Sequence, residues 1–379
     1  MESLPREILF DILSRLPTTS LHNAKLVCCS WRNLVQDPVL VDMHFTRQPE
    51  NNPCLILHSD YPIRNQLYAV HFYAHNENVG MVRKICVPEI FPEFDVIGSC
   101  NGWLCLCDSL SKSTFHVYNP FTGDCIELPK SASNSDKWIA FEFGFHPTTK
   151  DYKVVMIGNG TRAGSPYICA LPQRSEIKIL TLGSPAWRSV GRVPYHLFGS
   201  PSQVLVNGRL HWVSWPLTSP HCPGRLIVSF DLADERFREV QKPNSARFHV
   251  RNLTVLGGCL SVAAYREDGL FEIWIMKEYG VKESWIKEFS IGTHPPRGLE
   301  EDVDCSFNIS KFYSKRSFVR VLCRLKNGEI LLEYKCRALV SYDPRSGTFR
   351  DITVQGMPNW FQAVLHIGNH NLIDTLINI

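Results

Sequence analysis

Fourteen cysteines and fourteen histidines give this 379-residue chain material for metal or thiol chemistry. The tightest cluster is Cys100, Cys105, Cys107 and Cys125. A structural zinc site needs closely spaced thiolate pairs with a second pair in range. Here the gaps are four residues and then one, and Cys105-Leu106-Cys107 lies in an apolar, strand-like run. No metal site is expected, and the cysteines read as reduced, mostly buried thiols. Gly158, Gly160 and Gly164 follow an apolar strand as a phosphate loop would. Ser165-Pro166 and more strand then stand where a helix N-terminus would be needed. His221-Cys222 sits in a Pro-rich loop, and Glu300, Glu301, Asp302 and Asp304 form an acidic run of the solvated kind. No Ser, Thr or Cys has the surroundings of an activated nucleophile. No catalytic residue and no cofactor is therefore expected.

Composition narrows the choice further. Forty Lys+Arg against 37 Asp+Glu leave a net charge of +3, without the basic footprint of a nucleic-acid binder. No apolar run reaches the ~20 residues of a membrane span. The opening MESLPREILFDILSRLP lacks the basic region and small-residue cleavage site of a secretory signal. A cytoplasmic and/or nuclear protein is expected, with the sequons at Asn159, Asn252 and Asn308 idle. What remains is binding, and the elements that would carry it change along the chain.

The first forty residues are patterned as helices. Ile8, Leu9, Ile12, Leu13 and Leu16 recur at helical spacing, with Arg6, Glu7, Asp11, Ser14 and Arg15 opposite. Pro5 suits a first turn, and Pro17 stops the helix. Thr18, Thr19 and Ser20 offer caps to a second helix with Leu21, Ala24 and Val27. A third runs through Trp31 and Leu34 and must end before Pro38. Phe10 falls off the core stripe, on a polar side. Three helices this short bury too little to stand alone, so a partner is expected to complete them.

Leu4-Pro5, Glu7, Ile12-Leu13, Arg15-Leu16-Pro17, Leu21, Lys25, Val27-Cys28, Ser30-Trp31 and Asp37-Pro38 resemble an F-box, the adaptor-binding motif of SCF-type ubiquitin ligases. Cys29 stands where that family often has Lys. The resemblance implies a Skp-type adaptor, and through it a cullin–RING core. The expected contacts are Leu4, Pro5, Ile8, Phe10, Ile12, Leu13, Leu16, Pro17, Leu21, Val27, Cys28 and Trp31, within a domain spanning 1–42 and followed by a linker at 43–52.

From about residue 53 the period becomes two. Runs such as FHVYNP, KVVMIG, IKILTL, RLIVSF, FEIWIM and ALVSYD are β-branched and aromatic, bounded by Gly, Pro and Asn. Asn101-Gly102, Asn207-Gly208, Gly257-Gly258 and Asn327-Gly328 mark hairpin turns. An aromatic-centred third strand follows each turn, and then a fourth strand. Repeats of this kind predict an all-β propeller of about six four-stranded blades over 53–375. Five units fall near 95–128, 141–190, 203–240, 253–289 and 318–353. The sixth is assembled from strands near 54–58, 67–73 and 83–87 with one near 361–367. A β-sandwich is the alternative. Phe143-Gly144-Phe145-His146-Pro147, Asp151-Tyr152-Lys153-Val154-Val155, Ser99-Cys100-Asn101-Gly102 and Tyr118-Asn119-Pro120 are similar to the F-box-associated domain of plant F-box proteins, kelch-like in layout. In that family the domain is the substrate-binding part.

Strand register sorts the connections by rim. Tight turns lie at one end of the strands; the longer stretches 130–138, 159–175, 194–202, 216–225, 242–252 and 292–316 lie at the other. Recognition usually uses long loops on a rigid frame, through Arg and aromatic anchors. The expected target contacts are Trp138, Arg162, Tyr167, Arg174, Tyr195, Trp215, Arg225, Arg247 and Arg297. The reading is a non-catalytic receptor subunit that holds a target protein for ubiquitination, with no nucleic acid or membrane partner. The rivals are a propeller enzyme, and an F-box scaffold binding a small ligand or glycan.

Overall fold

A computed structural model describes most of residues 4–44, and then 54–59, 64–72, 82–89, 91–131, 137–161, 174–197, 204–216, 226–243, 249–265, 271–292 and 319–366. Two continuous helices are described, α1 (Arg6–Leu13) and α2 (Cys29–Val35), rather than the three expected. The expected middle helix falls partly outside the described residues, although Leu21 and Ala24 within it are helical and buried.

The helical core also departs from the expected stripe. Phe10 and Leu13 face inward and pack with Leu21, Ala24, Val35 and Leu40, while Leu16, Trp31, Leu34 and Met43 cover the edge. Residues three apart share a helix face, so Phe10 goes in with Leu13. The Arg6 guanidinium lies 5.0 Å from the Phe10 ring and reaches on to Asp37. Ile8 and Ile12 face out.

The rest is a six-bladed propeller. Blade 1 orders β25 (Phe361–His366), β1 (Cys54–Ser59), β2 (Leu67–His71) and β3 (Val82–Ile85) from centre to rim. Blade 2 is β4 (Phe94–Cys100), β5 (Trp103–Asp108), β6 (Phe115–Tyr118) and β7 (Cys125–Glu127). Blade 3 is β8 (Lys137–Phe145), β9 (Tyr152–Thr161), β10 (Ser175–Thr181) and β11 (Arg188–Val193). In blade 4 the inner position is shared by β12 (Tyr195–Leu197) and β13 (Leu205–Val206), both paired to β14 (Arg209–Pro216); β15 (Leu226–Asp231) and β16 (Phe237–Val240) follow. Blade 5 is β17 (His249–Leu256), β18 (Cys259–Tyr265), β19 (Phe271–Met276) and β20 (Trp285–Ile291). Blade 6 is β21 (Val319–Arg324), β22 (Ile330–Tyr334), β23 (Ala338–Asp343) and β24 (Thr348–Ile352).

The ring closes as the pattern predicts, by antiparallel pairing of β25 with β1 from Cys54↔His366 to Ser59↔Phe361. Closure leaves no open inner edge between first and last blades. Apolar clusters fill the seams between blades; Trp103, Trp212, Phe143 and Phe361 are fully buried in them. Polar side chains are spent on the same seams. Thr254 Oγ1 donates to the Val321 carbonyl at 3.0 Å, joining blades 5 and 6. Lys153 Nζ donates to the Leu232 carbonyl at 2.5 Å and pairs with Glu235 at 2.8 Å, joining blades 3 and 4.

Candidate functional site

Each blade runs out, back, out and back, so its first and third turns share one rim and its second turn shares the other with the link to the next blade. The turn rim carries Asn101-Gly102 and Asn207-Gly208, with φ of 49° and 81°, and 51° and 72°. Two successive residues with φ > 0 are the mirror-type hairpin that Asn-Gly favours. This rim is not uniformly tight, because β2 ends on it at His71 and β3 begins on it only at Val82. It is laced by ion pairs such as Arg209 to Asp231 at 2.7 Å. Cys54 opens β1 here beside His366, the end of β25, so the chain enters the propeller at the turn rim.

The helical module presents an apolar surface. Leu4, Ile8 and Ile12, each one turn from the next, are 47%, 46% and 48% exposed. Val27 and Val39 are exposed as well. These five are the majority of the seven exposed large apolar side chains among the described residues, a density that marks an interaction surface. Pro5 and Cys28 are exposed beside them; Leu16 and Trp31 are half-buried, Phe10, Leu13 and Leu21 are interior, and Pro17 lies outside the described residues. Val39 escaped the sequence reading because it follows Asp37-Pro38, beyond the periodic stretch.

On the loop rim, three expected loop residues turn out to be strand. Trp138 is the second residue of β8, its backbone paired with Asn159. Tyr195 opens β12 opposite Pro216, and Trp215 lies in β14 opposite His196. β8 and β14 simply extend farther toward that rim than their flanking Pro and polar residues imply, and β12 pairs onto the added length. All three positions thus share the loop-rim end of blades 3 and 4. The Tyr195 ring lies 6.1 Å from Phe237, and burial beside Glu239 raises its hydroxyl pKa. Arg174 precedes β10 and is exposed. Arg162, Tyr167, Arg225, Arg247 and Arg297 lie outside the described residues.

No converging catalytic set lines the inner strands among the described residues. Asp95 is held by Arg64 and Lys112, His366 Nδ1 by Ser99 Oγ at 2.8 Å, and Arg320 by Glu333 at 2.5 Å. Burial pushes the thiols of Cys54, Cys100 and Cys323 up to about 12 and that of Cys125 to about 11, so these sulfurs are protonated and poor ligands. Among the described residues no group of His, Cys, Asp and Glu could hold a metal ion, and no helix is long and apolar enough to cross a membrane.

Comparison with known proteins adds to this geometry. Residues 62–377 match the family described as F-box associated beta propeller domain, and residues 1–46 match the one described as F-box-like. The chain is 43% identical to the Arabidopsis thaliana F-box protein At3g07870, over 100% of this chain and 94% of the relative. It is 27% identical to the Arabidopsis thaliana F-box protein CPR1, over 97% of this chain and 89% of the relative. A solved oligogalacturonate lyase from Vibrio parahaemolyticus is 8% identical with a TM-score of 0.44, covering 80% of each chain.

Proposed function

The chain belongs to the F-box proteins that carry an F-box-associated β-propeller, and from that premise we propose that it is the substrate-recognition subunit of an SCF-type, cullin–RING ubiquitin ligase. The exposed apolar row Leu4, Ile8 and Ile12 carries the reading. One face of α1 is spent on the module's own core, and the other is apolar with nothing of its own to cover it. A Skp-type adaptor is the partner that such a face on an F-box fits. Each is already about half buried, so covering the remainder contributes roughly half of the ~1.5–3 kcal/mol of a fully exposed Ile or Leu.

The propeller holds the target protein on its loop rim. Support comes from the joint: β1 begins and β25 ends on the turn rim, which leaves the loop rim turned away from the tether. The subunit performs no chemistry. It raises the local concentration of target lysines near a charged ubiquitin carrier, catalysis by proximity. Its place of work is the cytoplasm, the nucleus or both.

The test is a double substitution, Ile8→Asp with Ile12→Asp. Co-purification with a Skp-type adaptor should fall at least tenfold while the propeller melts unchanged. Undiminished adaptor capture overturns the reading. Proteins that accumulate on the wild-type chain under proteasome inhibition, and that a chain lacking 1–42 still captures without adaptor, identify the target; their absence would leave a scaffold instead.

A further inference from the structure

Among the described residues, Arg64, Arg209 and Arg337 are half-buried arginines and Arg320 is a fully buried one. Three of these four rest against a carboxylate: Arg64 on Asp95 at 3.3 Å, Arg209 on Asp231 at 2.7 Å and Arg320 on Glu333 at 2.5 Å. Arg337 has no carboxylate partner among the described residues. Its guanidinium carbon instead lies 4.6 Å from the centre of the Trp360 ring. Partly removing a guanidinium from water without an anion is costly, and an indole face offsets only part of that. The Trp360 N–H also donates to no group of the described residues, whereas those of Trp187, Trp274 and Trp285 donate to Pro129, Glu272 and Gln241. Unlike the indole nitrogens of Trp103 and Trp212, it is not sealed in the core.

The turn that presents Arg337 is strained. β22 ends at Tyr334, and β23 begins opposite it at Ala338. Between them Lys335 and Cys336 stand at φ 48° and 56°, the one place among the described residues where two successive non-glycine residues are left-handed. Side chains disfavour that conformation, and strain held in place by its surroundings gathers at functional sites. The surroundings here are explicit. Arg337 N donates to the Tyr334 carbonyl at 2.9 Å, and Phe361 N to the Cys336 carbonyl at 2.8 Å. Cys336 is buried. The second bond anchors the residue next to Trp360, so turn and tryptophan are held in one register. β22 ends and β25 starts on the loop rim, which places the pair there, where blade 6 meets blade 1.

We propose that Arg337 and Trp360 form an oxyanion subsite, which takes a carboxylate or phosphate group carried on a segment of the target protein. A guanidinium presents a fork matched to two such oxygens, and the indole N–H supplies a further donor. Lys335 is left out of the subsite, since it has a partner of its own. The inference rests on the receptor reading, because the pair lies on the rim assigned to the target. Its measurement needs neither target nor adaptor, so it can fail while that reading stands, and adaptor capture can fail while the pair still binds.

Fluorine NMR of the full chain labelled with fluorotryptophan tests this, titrated with blocked Gly-Asp-Gly, Gly-phosphoserine-Gly and Gly-Ser-Gly peptides. The Trp360 resonance is the one lost in Trp360→Phe. It should shift saturably with an anionic peptide and not with the neutral one, and the tighter of the two anionic peptides names the group. Arg337→Gln should weaken that binding by about tenfold or more. Arg337→Lys keeps the charge without the fork and should weaken it several-fold. Arg345→Gln, on the turn rim, should change nothing. An equal response to all three peptides, no saturable shift, unchanged affinity in Arg337→Gln, or an equal loss in Arg345→Gln overturns the proposal. If Arg337→Gln loses its cooperative melt, Arg337→Lys decides, and wild-type affinity in that variant overturns it.

Discussion

Arg320 and Glu333 are 2% and 0% exposed, and their bond is only part of what holds them. Arg320 Nη2 also donates to the Ala363 carbonyl, and Ala363 N donates back to Glu333 Oε2 at 2.7 Å. Two charges of blade 6 thus clamp the backbone of the closing strand. A buried pair is a weak source of net stability, yet breaking it leaves an uncompensated charge. Glu333→Gln should therefore cost about 3–5 kcal/mol in urea unfolding. Arg320→Met with Glu333→Leu should cost clearly less than that single change, although it removes more hydrogen bonds. A double variant at the sum of both single losses would mean the two side chains act independently. Neither residue stood out in the sequence: a lone Arg and a lone Glu thirteen positions apart acquire meaning only when pairing of β21 with β22 sets them face to face.

At the scale of elements, the turns decide the blades. Gly208 and Gly123 both have positive φ, at 72° and 81°, yet their surroundings differ. A Cβ on Gly208 would lie 2.2 Å from His146 Cδ2, while one on Gly123 meets nothing within 4 Å. Gly123→Ala should cost about 1 kcal/mol, the backbone share alone. Gly208→Ala should cost at least twice that, because the His146 ring is tied to Thr149 N at 3.2 Å and must give way. Thermal melts of the two variants separate these outcomes. Such turns were legible because Asn-Gly between apolar runs has one common solution. Other elements were not. α1 is apolar at Ile8, Leu9, Phe10, Ile12 and Leu13, a sector wider than half the helix, so periodicity alone could not say whether Phe10 or Ile12 turns inward. β12, three residues long, exists only because the overrun of β14 offers it a partner. The loop rim was legible as an end of the strands, from turn spacing. Its Arg337–Trp360 pair was not, since it joins a turn of blade 6 to the residue before β25.

For the whole molecule, closure is the joint on which the ring depends, and two buried histidines lie on its strands. His366 is 0% exposed on β25 and His58 is 2% exposed on β1, one near each rim of the closing pair. Burial lowers His366 to about 3, with His71 adding to the effect, and lowers His58 to about 4, with Arg64 adding. Both are neutral when folded, whereas in the unfolded chain an imidazole titrates near ~6.5. Above that pH neither state binds the extra proton, and stability is unaffected. Below it the unfolded state binds more protons, so stability falls as pH drops from about 6.5 toward 4, by up to about 1.4 kcal/mol per pH unit for each histidine. Most carboxylates stay ionised down to about pH 5, which isolates the histidine effect between 6.5 and 5. Urea midpoints should decline across that window in the full chain, and His366→Gln should lessen the decline by its own share, with His58 and His211 keeping theirs, while Lys326→Gln, on a turn, leaves it alone. Removing residues 354–379 deletes β25 with the buried Phe361 and Ala363, uncovering β1. That chain should melt far below the full one, or lose its cooperative transition, if the ring stands or falls as one unit. An unchanged cooperative melt after this truncation would mean that the five blades complete within 94–352 are stable as an open arc, and that the proton-sensitive seam is an accessory rather than the closure.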